Sequence, residues 1–282
     1  GGRQFLDRLT VSLARKPTLL PAKRNAAVSI ILRPVEGHQD DYEILFMKRV
    51  TRPGDRWSGQ VCFPGGRAAV GETALETAMR ETWEETGLDV DECQMVGRLN
   101  DRSVWGDAKT NTEPFTMSSF VFMYPHRRAL QMRLQDKEVQ CTRWARLSLL
   151  TPENITWNEI KWAAPATKFR LLKPALRKTL GVHEVHCPAV LLPHAATDDN
   201  GHRDTTQQSF PLWGLTLRTV SDLLVAGGRR RLDVPAFRCA LDALGLTDPQ
   251  FRERICKQTS ALAATLTNLN THLYRYLLKA FM

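Results

Sequence analysis

The stretch GGRAAVGETALETAMRETWEETGL, residues 65–88, constrains this chain more than any other. Residues 72–86 read as a helix, because Ala74, Leu75, Ala78, Met79 and Thr82 recur at helical spacing and form an expected buried face. Gly87 is the expected stop. On that helix Glu81, Glu84 and Glu85 stand at i, i+3 and i+4, which places three carboxylates on one face. Such crowding repels itself. A hard divalent cation removes the penalty, since Mg²⁺ takes carboxylate oxygens and leaves other positions to water and phosphate. Arg80, four residues before Glu84, is placed to hold it by an ion pair. Taken alone, the three glutamates favour a solvated acidic face.

The wider spacing is more specific. Gly66, Glu72, Arg80, Glu81, Glu84, Glu85, Gly87 and Leu88 stand in an order and at intervals that resemble the Nudix box of the diphosphatase superfamily. Thr82 departs from it, standing where that family usually carries an aliphatic residue. The resemblance implies an α/β fold: an α/β/α sandwich around a mixed sheet, with the box as loop, helix and loop. It implies Glu81 and Glu85 as the main metal ligands, with Glu84 assisting and Arg80 orienting the carboxylates. Gly66 would offer its carbonyl near the metal, and Gly65 and Gly66 would approach the substrate closely. The cofactor implied is Mg²⁺ or Mn²⁺, and the reaction is hydrolysis of a diphosphate. Such a cation neutralises phosphate oxygens and aligns a water with phosphorus, and a carboxylate within reach takes the proton. Glu84 and Glu85 are candidates for that base, and so is Glu138 in DKEVQCTRW.

Further segments resemble coenzyme A diphosphatases: GQVCFPGG (59–66), KEVQCTRWARLSLL, and FPLWGLTLRTVSDLL (210–224), together covering about 25–226. Arg49, Arg52 and Arg56, just upstream of the box, are the expected phosphate-binding cations, since arginine grips phosphate bidentately. Arg49 and Arg56 do not keep the register of that group's upstream arginine pair. The insertion at about 150–182 is basic and carries Trp157, Trp162 and Phe169, which suits either a packed lid or base stacking. His183, His186 and Cys187 raise a structural zinc site, but strand residues three apart face opposite ways.

Composition sets the outer limits. The 282 residues carry 39 Lys+Arg against 30 Asp+Glu, a net charge of +9, which suits polyanionic partners such as phosphorylated small molecules or RNA. Six cysteines without a Cys-x-x-Cys pair suit an intracellular protein with reduced thiols. No apolar run approaches the roughly 20 residues that span a bilayer. The chain starts Gly-Gly rather than Met, so its natural start is expected upstream, and a basic matrix protein of mitochondria is one expectation.

The expected organisation is an N-terminal extension (1–24), a hydrolase domain (25–226) and a helical tail (227–282). Strands are expected at 26–34, 42–49, 60–66, 94–99, 115–125, 139–147 and 185–193, and a helix at 212–226. In the tail, Leu262, Leu266, Leu269, Leu273 and Tyr276 form an apolar stripe for packing on the core or on a partner. Three functions are open at this point. One is a small-molecule diphosphatase of the coenzyme A type. Another is an enzyme acting on phosphorylated RNA 5′ ends through Arg229–Arg231. The third is a Nudix subunit of a larger assembly.

Overall fold

The computed structural model describes residues 4–21, 24–53, 55, 57–104, 115–125, 132–163, 184–193, 209–235 and 238–239. The expected tail stripe, His183, Phe169 and Arg56 lie outside the described residues. The chain divides into two compact units, 1–157 with 190–233, and 158–189 with 234–282.

In the first unit the elements run α1 (Gln4–Leu13), β1 (Asn25–Pro34), β2 (Tyr42–Arg49), β3 (Val61–Cys62), β4 (Gly65–Arg67), α2 (Ala74–Thr86), β5 (Gln94–Arg98), β6 (Arg102–Val104), β7 (Phe115–Met123) and β8 (Val139–Arg146). After β9 (Trp157–Ala163) and β10 (Glu184–Leu191) come β11 (Pro211–Trp213), α3 (Gly214–Ala226) and β12 (Arg238–Cys239). Within the second unit, β10 pairs antiparallel with β12, Val185 opposite Cys239.

The main sheet is mixed and is organised around β1. β7 runs parallel to it along its whole length, from Asn25↔Thr116 to Leu32↔Met123. The other edge of β1 is shared: its first half pairs with β4 (Ala27↔Gly66) and its last three residues with β2 (Leu32↔Ile44). The exchange falls at Ser29, whose amide donates to the Pro64 carbonyl at 2.9 Å. The Gly65–Gly66 turn is thereby fastened to the centre of the sheet. Ala27 and Ile31 pack one face of β1 against Ala78 of α2, with Leu88, Val90, Phe120 and Phe122. Ile30 and Leu32, of opposite parity, are equally buried, so both faces of the strand are covered.

α2 starts and stops as its sequence dictates. Thr73 and Glu76 form a reciprocal capping box, and the Gly87 amide donates to the Trp83 carbonyl in a left-handed C-cap. Its buried stripe differs from the apolar reading, however. Thr77, Ala78, Thr82, Glu85 and Thr86 are the buried residues, while Ala74, Leu75 and Met79 are only partly covered. Thr82 explains part of the shift. Its hydroxyl lies 2.7 Å from both Ser29 Oγ and the Ala78 carbonyl, and Ser29 Oγ donates to that carbonyl at 3.1 Å. The hydroxyl at the usually aliphatic position is thus matched by a serine on the facing strand.

α1 belongs to the first unit. Phe5 and Leu9 are buried, the Phe5 amide donates to Asp40 Oδ1 at 2.7 Å, and the Phe5 ring lies 5.6 Å from that of Tyr42.

The hydroxyl pair makes a test of this packing. Thr82→Val should lower unfolding free energy by about 1 kcal/mol, and Ser29→Ala combined with it should cost less than the sum of the two single changes. Denaturant titration of the four proteins checks this, and strict additivity would show that the pair is not coupled.

Candidate active site

A cleft of about 520 Å³ opens in the first unit where β1, β4, α2 and α3 meet. Its lining includes Arg49, Gly65, Gly66, Glu81, Glu84, Glu85 and Glu138. The structure therefore brings together both glycines, all three box glutamates, the distant glutamate and one of the three upstream arginines. Arg52 is exposed and does not line the cleft.

The glutamates fare differently because of helix geometry. At 3.6 residues per turn Glu81 and Glu85 stand about 40° apart, while Glu84 lies about 60° beyond Glu81, away from the core. Glu85 is accordingly 1 % exposed, Glu81 16 % and Glu84 48 %. Among the described residues no three His, Cys, Asp or Glu side chains converge closely enough to cage a cation unaided. The three-carboxylate cage expected from the sequence is thus not gathered in advance.

Arg80 accounts for that. It grips Glu72 bidentately (Nε to Oε1 2.7 Å, Nη2 to Oε2 3.0 Å) and pairs with Glu81 and Glu84 at 3.0 Å each. One guanidinium thus holds three carboxylates and fixes the first turn of the box to its helix. The hydrogen bonds from Arg80 hold the Glu72 carboxyl down at about 2.

Glu85 is the unusual group. Its Oε2 accepts from the Gly65 amide at 2.8 Å. Its Oε1 is buried with no hydrogen-bond partner, and Arg49 Nη1 stands 3.7 Å from it. Burial pushes its carboxyl up to about 8, with the Gly65 amide opposing and the Glu81 charge adding. Burial raises Glu81 as well. Arg49 has the same character: its Nε is buried without a partner, and its Nη2 is 3.6 Å from Asp55. Pairing of β2 with β8 slips at this residue, between Lys48 and Arg49, passing over Gln140 in a bulge.

Two glycines admit close neighbours, β1 at Gly65 and α2 at Gly66. A Cβ on Gly65, whose φ is +150°, would overlap the Ala27 carbonyl, and one on Gly66 would overlap the Glu81 carboxylate. Glu138 is held from two sides. Its carbonyl accepts from Val50 at 2.9 Å, and the loop before it caps α2, with the Gln135 and Arg133 amides donating to the Glu85 and Thr86 carbonyls. Its charge is close enough to raise both Glu81 and Glu85.

Sequence reading missed Asp55, the second partner of Arg49, and the α3 wall. Leu215, Thr216 and Thr219 line the cleft, and Thr216 Oγ1 donates to the Val61 carbonyl at 3.0 Å. The signal was the Trp213-Gly214-Leu215-Thr216 element, which carried a resemblance but no role. Arg229–Arg231 have intramolecular partners. Arg229 donates to the Asp40 carbonyl and lies over Phe5, Arg230 pairs with Glu153, and Arg231 with Asp222. In the second unit His186 pairs with Glu159 at 3.2 Å, and Cys187 is buried and not in a disulfide.

The donors at the cleft floor are all oxygens: two half-buried or buried carboxylates and a glycine backbone with no side chain in front of Glu81. This set suits a hard divalent cation, and the unbonded Glu85 Oε1 is an acceptor left for it.

The chain belongs to the NUDIX domain family, whose pattern its residues 23–164 match. Nudix hydrolases are in general divalent-metal dependent and act on phosphorylated small molecules. Among curated relatives, an uncharacterized protein of Schizosaccharomyces pombe is 38% identical over 117 residues, covering 39% of this chain and 34% of that one. Nudix hydrolase 3 of Caenorhabditis elegans is 36% identical over 98 residues, 34% of this chain and 40% of that one. The mitochondrial coenzyme A diphosphatase NUDT8 of Mus musculus is 36% identical over 98 residues, 34% of this chain and 42% of that one. The chain thus spans between about a third and two-fifths of the length of these relatives. Among the described residues no helix is long and apolar enough to cross a membrane.

The buried carboxylate has a measurable signature. Folded Glu85 keeps its proton to about pH 8 against an ordinary value of 4.5, so the native state binds the extra proton through that window. Stability of the metal-free protein should therefore fall as pH rises from 5 to 8. Glu81 adds in the same direction. Glu72, depressed to about 2, acts only in acid, where its contribution is lost as pH falls from 4.5 through 2. Denaturation in a chelating buffer should show the fall, and Glu85→Gln should flatten it. A wild-type midpoint that does not move with pH would contradict the assignment.

Proposed function

We propose that this protein is a divalent-metal-dependent diphosphatase. It cleaves a nucleoside diphosphate linked to another moiety, and a coenzyme A-type substrate is favoured. The observation that carries the reading is the pair of unsatisfied groups on the cleft floor. The Glu85 Oε1 acceptor and the Arg49 Nε donor are both buried and both without partners. An acceptor calls for a cation and a donor for an anion, and a metal-bound diphosphate presents both.

Glu81 and Glu85, with the Gly66 carbonyl, would hold Mg²⁺ or Mn²⁺, which on binding would neutralise the diphosphate oxygens. Arg80 keeps Glu81 in place while balancing Glu72 and Glu84. Arg49 turns from Glu85 and Asp55 to a phosphate oxygen, the interaction for which a guanidinium fork is suited. Glu138, fixed on its loop close to both ligands, accepts the proton of the attacking water. Thr216 and Thr219 offer the opposite wall. The coenzyme A preference rests on the segments that resemble such enzymes and on the mouse relative's activity as its name gives it. A mitochondrial setting rests on that relative and on the basic composition.

Product release from coenzyme A, nucleotide sugars, dinucleoside polyphosphates and triphosphorylated RNA, with Mn²⁺ or Mg²⁺, tests the reading. Coenzyme A should yield 3′,5′-phosphorylated adenosine and phosphopantetheine. Glu81→Gln and Glu85→Gln should each lower turnover by about 100-fold or more while the protein stays folded. Glu138→Gln should lower kcat by about 100-fold and leave the metal dependence intact. Gly66→Ala should abolish most activity by displacing Glu81. Unchanged turnover in both ligand variants would overturn the proposal.

A further inference from the structure

We infer that Arg102 and Arg218, at the α3 side of the cleft, form an anion subsite for a second charged group of the substrate, remote from the scissile diphosphate. The inference rests on the diphosphatase reading and adds to it a place for a second phosphate or carboxylate.

The geometry comes from two elements. Arg102 lies opposite Met117 in the β6–β7 ladder, so the two side chains share a face of the sheet, and Met117 lines the cleft. On α3, Leu215 and Thr219 line the cleft, and Asp222 lies one turn further along that stripe. Arg218 stands beside them, three residues after Leu215 and four before Asp222. Arg102 joins the two elements, donating to Asp222 Oδ2 and, at 3.4 Å, to the Arg218 carbonyl.

The charges in this group do not balance. Asp222 is shared between Arg102 and Arg231, leaving one carboxylate among three guanidinium groups. Arg102 Nε is buried with no partner. The Arg218 side chain makes no hydrogen bond or ion pair among the described residues. It is half-buried, and burial, then the Arg102 charge, lowers its pKa against the opposing Asp222 charge, which places the two cations within mutual reach around that one carboxylate. A purely structural strut between β6 and α3 would need Arg102 and Asp222 alone. A second, partly desolvated guanidinium beside them costs stability unless an anion meets it. A planar guanidinium with free donors, next to residues that line a cleft, suits a phosphate monoester or a carboxylate.

Binding of adenosine 3′,5′-bisphosphate and of adenosine 5′-monophosphate to the full chain, measured by calorimetry in a metal-chelating buffer, tests this without turnover. The wild-type protein should bind the bisphosphate about tenfold more tightly or better. Arg218→Gln should remove that preference while leaving the thermal midpoint unchanged or raised, and Arg218→Lys should keep part of it. Equal affinity for the two nucleotides in the wild type, or a preference that survives in Arg218→Gln, would overturn the subsite. So would failure of both nucleotides to bind. A drop in stability without a change in preference would mark Arg218 as a structural residue only and also overturn it. Failure of the diphosphatase reading would appear separately, as absence of product release in the wild type.

Discussion

Glu85 has one oxygen on the Gly65 amide and the other without a hydrogen bond, 3.7 Å from Arg49 Nη1, and it is almost wholly buried. An isolated carboxylate in such a place costs free energy in its charged form, so it keeps a proton or finds a cation. The surroundings are arranged around that choice. Gly65 has no side chain because β1 comes too close for one, and Gly66 none because Glu81 of α2 does. β1 exchanges partners at Ser29 so that the glycine turn can hydrogen-bond to its centre. The capping box, the left-handed Gly87 cap and the donated amides of Arg133 and Gln135 fix both ends of the helix that carries Glu85.

Arg80 makes the acidic helix possible without metal. It divides its donors among Glu72, Glu81 and Glu84, which otherwise repel one another. Glu84 is drawn outward by this, and Glu81 is held at the edge of the cleft, beside Gly66. The result is a floor with two usable carboxylates rather than a closed cage. Such a floor suits a cation that must also accept oxygens from a substrate.

Much of this was legible in the residues. The strands of the main sheet, α2 with its cap, and the spacing that joins Gly66 to Glu81 and Glu85 follow from periodicity and from a pattern of fixed intervals. Glu138 could be named because its strand was recognisable. What the sequence hid were relations between distant residues. Thr82 looked like a departure from a pattern until Ser29 stood opposite it. Arg49 could not be separated from Arg52 by residue type: Arg49 ends β2 and lines the cleft, whereas Arg52 falls in the exposed loop beyond it. Arg229–Arg231 read as a basic patch, whereas Asp40, Glu153 and Asp222, far away in sequence, meet them. The apolar stripe of α2 was placed too far round the helix, because buried threonines and a buried glutamate carry no hydrophobic signal.

The central claim is that a buried, protonated Glu85 releases its proton to solvent when a divalent cation takes its place. Calorimetric titration of Mg²⁺ or Mn²⁺ at pH 7, repeated in buffers of different ionisation enthalpy, counts protons released per cation bound. With the Glu85 carboxyl at about 8, release should approach about one proton in the wild type and fall towards zero in Glu85→Gln, with much weaker binding. Cation binding without proton release, or binding that Glu85→Gln leaves unchanged, would contradict the account.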